Sequence, residues 1–207
     1  MTKAEGKLAQ VTGSNVQIDP EEHYDSWSEN YDRDLLGKYG YCAHKIAVQA
    51  FAKIHSDRGA SVLDVGCGTG LVGIELSQLG YKAIDGVDVS QGMLDKSNSL
   101  GIYRKLFHHR IGSHELSDLV GYSGVLCVGS FGLGHMQQED IESLIKMAAP
   151  KAPIVIFMNS EPFDLQAYNL TLERFSDAGL WVVEQLEDHN YMSALDRPGK
   201  LIVGRRV

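Results

Sequence analysis

The chain has 207 residues, 43% hydrophobic and 22% charged, with a formal net charge of −8, which fits one acidic globular domain. It lacks the basic face that a nucleic-acid partner needs, the unbroken apolar run of a membrane span, and the apolar core of a secretory leader. A cytoplasmic protein is expected, with Cys42, Cys67 and Cys127 as reduced thiols.

Residues 1–18 are polar and aperiodic and are expected to form a mobile tail. Asp19-Pro20-Glu21-Glu22 then reads as a helix start, with Asp19 as N-cap and Pro20 in the first turn. Tyr24, Trp27 and Tyr31 recur at i, i+3 and i+7, which places three aromatics on one helical face. A second helix, Ala43 to Ile54, carries Ile46, Ala47, Ala50, Phe51 and Ile54 on the side expected to meet a sheet.

Ser61 to Gly70 reads Ser-Val-Leu-Asp-Val-Gly-Cys-Gly-Thr-Gly, a buried strand breaking into a turn with glycines at alternate positions. A helical pattern starts at Leu71, so strand, glycine turn and helix open a nucleotide-binding βαβ unit. The spacing is not the G-x-G-x-x-G of dinucleotide dehydrogenases. Asp64 stands just before the first glycine, where it suits a cationic ligand better than a pyrophosphate. Lys82 to Val89 is a second strand ending in Asp88, whose carboxylate can accept hydrogen bonds from both hydroxyls of a ribose.

Gln91 to Ser99 is expected to be helical, and Tyr103 to Arg110 to be a third strand. Ser123 to Ser130 is an apolar fourth strand suited to the centre of a sheet. Gln137 to Ala148 reads as a helix, Ala152 to Met158 as a fifth strand, and Leu165 to Asp177 as a helix. Trp181 to Glu187 and Lys200 to Val207 are expected to pair as an antiparallel hairpin across a loop from Asn190 to Gly199. His108, His109 and His114 do not make a metal set, because strand alternation sends the first two to opposite faces. No metal is expected.

Asp64-x-Gly66-x-Gly68-x-Gly70, the acid Asp88, and the run Asp88-Val89-Ser90-Gln91-Gly92-Met93-Leu94 together resemble the class I S-adenosylmethionine-dependent methyltransferases. The segment from Tyr24 to Asp32 is similar to the Y-D-x-W-x-x-x-Y-D lids of that class. With Val128 to His135, it resembles the small Williams–Beuren-region methyltransferase-like proteins. The resemblance implies a Rossmann-like, doubly wound α/β fold. Its seven-stranded sheet would be mostly parallel with a terminal antiparallel hairpin, plus an N-terminal helical lid. Residues 19–207 would then form one methyltransferase domain, with 19–55 as lid and cap and 56–207 as core.

The cofactor implied is S-adenosylmethionine, with S-adenosylhomocysteine as product. Its methionine part would meet Asp64, the turn Gly66, Cys67, Gly68, Thr69 and Gly70, and the Gly129 carbonyl. Asp88 would hold the ribose, with Val89 and Met93 at the adenine, Ser90 also binding the cofactor, and Tyr24 and Tyr31 over the cleft. This family usually places an acid or amide after the third strand for the adenine amino group. None stands there, so Gly112 or Ser113 would have to serve. Two further departures are Tyr122-Ser123-Gly124, where the family opens strand four with Phe-Asp, and the absence of Asn/Asp-Pro-Pro at its end. The second argues against methylation of DNA bases.

A small-molecule acceptor is therefore expected, with no nucleic-acid or membrane partner. His135 is the candidate base, and Asn159 and Glu161 are further acceptor-side candidates. The alternative is a non-catalytic binder of S-adenosylmethionine or S-adenosylhomocysteine, acting as a sensor or partner subunit. A nicotinamide oxidoreductase is disfavoured by Asp64 and the glycine spacing.

Overall fold

The computed structural model describes Ala4, Lys7, Leu8 and residues 19–112, 118–132, 135–195 and 197–207. The remainder of the expected tail, together with Ser113 and His114, lies outside the described residues.

In helix α1 (Pro20–Trp27) the Asp19 carboxylate accepts from Glu21 N at 3.0 Å, as a capping side chain should. A π-helical turn (Arg33–Lys38) and α2 (Ala43–Ile54) follow. Then come β1 (Ser61–Val65), α3 (Leu71–Gln78), β2 (Ala83–Asp88), α4 (Gln91–Ser99), β3 (Lys105–His108) and β4 (Gly124–Val128). The second half holds α5 (Ile141–Met147), β5 (Pro153–Asn159), α6 (Ser160–Leu165), α7 (Tyr168–Asp177), β6 (Trp181–Met192) and β7 (Arg197–Arg206).

The seven strands form one sheet in the order β3-β2-β1-β4-β5-β7-β6. β1 to β5 are parallel, and β7 enters antiparallel between β5 and β6. Side chains alternate across each strand, so one apolar run serves two cores. Val62, Leu126 and Val155 face α2 and α3 with Phe51 and Leu76, whereas Leu63, Val125 and Ile154 face α5 and α7 with Leu144 and Phe175. Burial on both faces is the usual condition of parallel strands. The helices after β1 and β4 therefore leave on opposite faces. That divergence opens a crevice at the carboxyl ends of these two strands, where open α/β sheets bind ligands.

Four local expectations are revised. Helix Leu165 to Asp177 is two helices, α6 and α7, separated by Ala167 at φ 53°. α6 begins directly after β5, capped by Asn159 accepting from Glu161 N at 3.3 Å, with Pro162 tolerated in the first turn. The helix expected from Gln137 begins with a 3-10 turn at Gln138–Asp140 before α5. The expected loop from Asn190 to Gly199 is mostly strand: β6 and β7 stay paired as far as Met192 with Arg197. Pro198 is accommodated in the strand because β5 ends at the level of Gly199, so no neighbour on that side asks for the missing amide. Lastly, the helix carrying Tyr24 and Trp27 ends before Tyr31, yet the three rings stay together. The Trp27 and Tyr31 centroids are 4.8 Å apart and those of Tyr24 and Tyr31 are 6.0 Å apart.

Among the described residues, no helix is long and apolar enough to cross a membrane.

Candidate active site at the switch point

The turn after β1 is held against β2, since Val87 O accepts from Gly66 N at 2.8 Å and from Cys67 N at 3.1 Å. Gly66 sits at φ 68°, and a Cβ there would strike Ser130 Oγ at the end of β4. A side chain would thus be both strained and obstructed, and the crevice would be filled from behind. Across the turn, Asp88 Oδ2 accepts from Gly68 N at 2.8 Å and Oδ1 from Ser90 N at 2.9 Å. Each oxygen keeps an unused lone pair. Burial raises the Asp88 carboxyl above the usual carboxylate range, and the amides of Ser90 and Gly68 work against that rise by favouring the charged form.

Above the turn lies a cavity of about 260 Å³. Of the residues singled out from the sequence, Tyr24, Tyr31, Gly66, Gly68, Asp88, Val89, Met93, Gly129 and His135 line it. Six others are in place without facing it. Asp64 is fully buried beneath the turn, where its Oδ2 accepts from the Tyr103 hydroxyl at 2.7 Å. Tyr103, from the β3 side, engages that oxygen, and Asp64 is not among the residues that line the cavity. Cys67 is buried, and Thr69 donates to Asp32 Oδ1 at 2.6 Å. Gly70 caps α3 at φ 96° against Leu100 and Tyr103. Ser90 caps α4, accepting from Met93 N at 3.1 Å. Gly112 stands behind the wall beside Asp140.

Asp140 is the residue that reading along the chain missed. It lines the cavity from the turn before α5, and a Cβ on Gly112 would come within 2.5 Å of its Oδ1. An acid therefore stands beside Ile111-Gly112, although that dipeptide itself carries none. Its Oδ2 accepts from Gln137 N at 2.8 Å, which leaves Oδ1 toward the loop. The signal available was an acidic residue in the first turn of the helix after strand four. Burial raises the Asp140 carboxyl above its ordinary range.

His135 lies 5.6 Å, ring to ring, from Tyr24, and burial lowers it to about 4, helped by the charge of nearby His23. At neutral pH it is an uncharged imidazole. Burial raises Tyr24 and Tyr31 well above the ordinary phenol range, so both keep their protons. The aromatic segment is fastened over the cavity by its acids. Asp25 accepts from Ser90 Oγ and from Gly92 N at 2.9 Å, Glu29 pairs with Lys96 at 3.2 Å, and Asp32 holds Thr69. Trp27, Leu35 and Tyr39 are buried in the α2-side core, so this segment is part of the body of the fold. Among the described residues, no group of three or more His, Cys, Asp or Glu is placed to hold a metal ion.

The strand order with β7 inserted antiparallel, the glycine turn and the acid at the tip of β2 are those of a Rossmann-like fold of the class I methyltransferase type. The family model described as "Methyltransferase domain" matches residues 62–150, which span β1 to α5. The chain is 32% identical over 164 residues to human methyltransferase-like protein 27, a match covering 76% of this chain. The chain spans 66% of that relative, just under two thirds of its length. Two solved structures share the fold at 15% identity. One is a chain of the Haloferax volcanii complex between the Trm112 methyltransferase activator and a putative methyltransferase, with TM-score 0.68 over 88% of this chain and 97% of that one. The other is the plantazolicin methyltransferase BpumL in complex with S-adenosylhomocysteine, with TM-score 0.65 over 91% of each chain.

Proposed function

We propose that the chain transfers a methyl group from S-adenosylmethionine to a small-molecule acceptor at the β1–β4 crevice. The observation that carries this reading is the Asp88 carboxylate, fixed by two backbone amides and presenting its unused lone pairs to the cavity. Bound there, S-adenosylmethionine would supply an electrophilic methyl group for in-line displacement by the acceptor. Asp88 would accept from the two ribose hydroxyls, and the bare backbone at Gly66 and Gly129 admits the amino-acid part. Val89, Met93, Ile111 and Met136 offer apolar contact to the adenine. Asp140 would accept from the adenine amino group, since Ile111-Gly112 offers no acid or amide side chain there.

His135 holds no proton at neutral pH and, at about 4, takes one up too weakly to act as an efficient base. Its contribution is to line the reacting centre without adding a second positive charge. The proton released by the acceptor would then pass to solvent, and the chain's main task is alignment of the reactants.

Calorimetric titration with S-adenosylmethionine, S-adenosylhomocysteine and NAD tests the reading. Micromolar binding of the first two and none of the third is expected; the reverse pattern, or no binding at all, would remove it. Asp140→Ala is expected to weaken S-adenosylhomocysteine about tenfold, in line with one charge-assisted hydrogen bond. It should also erase any preference over the inosine analogue, which lacks the amino group. A variant that kept its preference would show that Asp140 does not read the adenine.

A further inference from the structure

A second cavity, of about 90 Å³, adjoins the first and shares Tyr24, Tyr31, Gly129 and His135 with it as a common wall. Its lining is dominated by aromatic rings from well-separated parts of the chain: Trp27 and Tyr41 from the N-terminal segment, Phe157 from β5 and Tyr191 from β6. These rings brace one another edge to face, with Phe157 and Tyr191 5.3 Å apart at 66° and Tyr41 and Tyr191 5.8 Å apart at 82°. Ring faces present negative potential to whatever enters, and a set of them held rigidly is suited to a cation.

The charges point the same way. No lysine or arginine lines this cavity among the described residues, and His135 is neutral. Burial keeps the Tyr41 and Tyr191 hydroxyls protonated. Among the described residues, the one formal charge in the lining is the Glu161 carboxylate, at the start of α6. Arg197 approaches it at 3.6 Å from outside the lining, and the Glu161 side chain remains 54% exposed, so its oxygens have capacity for another donor. An anionic acceptor would meet a carboxylate and aromatic faces, with no cation in the lining to receive it.

We propose that this second cavity is the acceptor subsite and that it takes a small organic cation, an amine with an aromatic or apolar body. The body fills the ring-lined cup and the ammonium group lies against Glu161. The inference rests on the methyltransferase reading above, since it is the shared wall that makes the cavity an acceptor site.

The test is calorimetry on the full chain saturated with S-adenosylhomocysteine, using three probes of matched size: 2-phenylethylamine, 2-phenylethanol and phenylacetate. The amine is expected to bind at least tenfold more tightly than the carboxylate, with the alcohol between them. Glu161→Gln should bring the three close together while leaving S-adenosylhomocysteine affinity unchanged. Equal binding of the probes, preference for phenylacetate or the alcohol, no binding of any probe to the loaded protein, or an unaltered amine preference in Glu161→Gln overturns the inference alone. Absence of S-adenosylhomocysteine binding in the wild type would instead remove the parent reading, and this inference with it.

Discussion

Asp88→Ala is expected to lose S-adenosylhomocysteine affinity by about a hundredfold or more while the protein still unfolds cooperatively. A hydrogen bond to a charged group contributes about 1.5–3 kcal/mol, and the ribose offers two. Each 1.4 kcal/mol is a factor of ten in the dissociation constant. The carboxylate also holds Gly68 N and Ser90 N, so its loss loosens the turn that the ligand must meet. Asp88→Asn should fare little better. Its amide group would turn one acceptor into a donor facing one of those backbone donors. Calorimetry alongside a thermal melt separates the cases, and a folded Asp88→Ala protein with unchanged affinity would rule out Asp88 as the ribose residue.

Asp64→Asn is expected to remove a pH dependence of stability. Asp64 is fully buried, its Oδ1 has no hydrogen-bond partner, and burial lifts the carboxyl from 3.8 to about 7, against the opposing Tyr103 hydroxyl. The folded chain therefore keeps this proton up to about pH 7, whereas the unfolded chain releases it near 3.8. Between those values the folded state binds more protons. This group's effect is accordingly a stability that falls as pH rises from about 4 to 7 and stays lowered above that. At roughly 1.4 kcal/mol for each unit of separation, the loss is on the order of several kcal/mol by pH 8. Asparagine stays neutral throughout. Denaturant unfolding of both proteins at pH 5 and pH 8 reads the difference, since the remaining groups titrate alike in each. Parallel stability profiles would show that Asp64 is ionised in the fold throughout.

What the sequence determined by itself was whatever depends on near neighbours along the chain. The Asp19 cap, α2 and α4 with their stated bounds, and the glycine turn followed at the next strand tip by Asp88 are all local: capping, period and backbone freedom act within a few residues. The strand-and-helix order was legible for the same reason, and with it the class of fold. Where the expected loop from Asn190 to Gly199 proved to be mostly strand, pairing across the sheet decided it, and Pro198 has a place at the end of that sheet.

The tertiary structure alone decided which side of a residue meets the ligand and which distant segments meet each other. Asp64 has the spacing of a ligand-facing acid, and the fold adds a partner beneath the turn, the Tyr103 hydroxyl from 39 residues away. Asp140 stands beside Gly112 because the chain after β4 returns on the face that brings the start of α5 to the β3 loop. The ring-lined cup draws Trp27, Tyr41, Phe157 and Tyr191 from four stretches that share no periodicity. A periodic pattern reports the face of a residue relative to its own helix or strand. Its neighbours across the fold depend on how crossovers and close packing bring whole elements together.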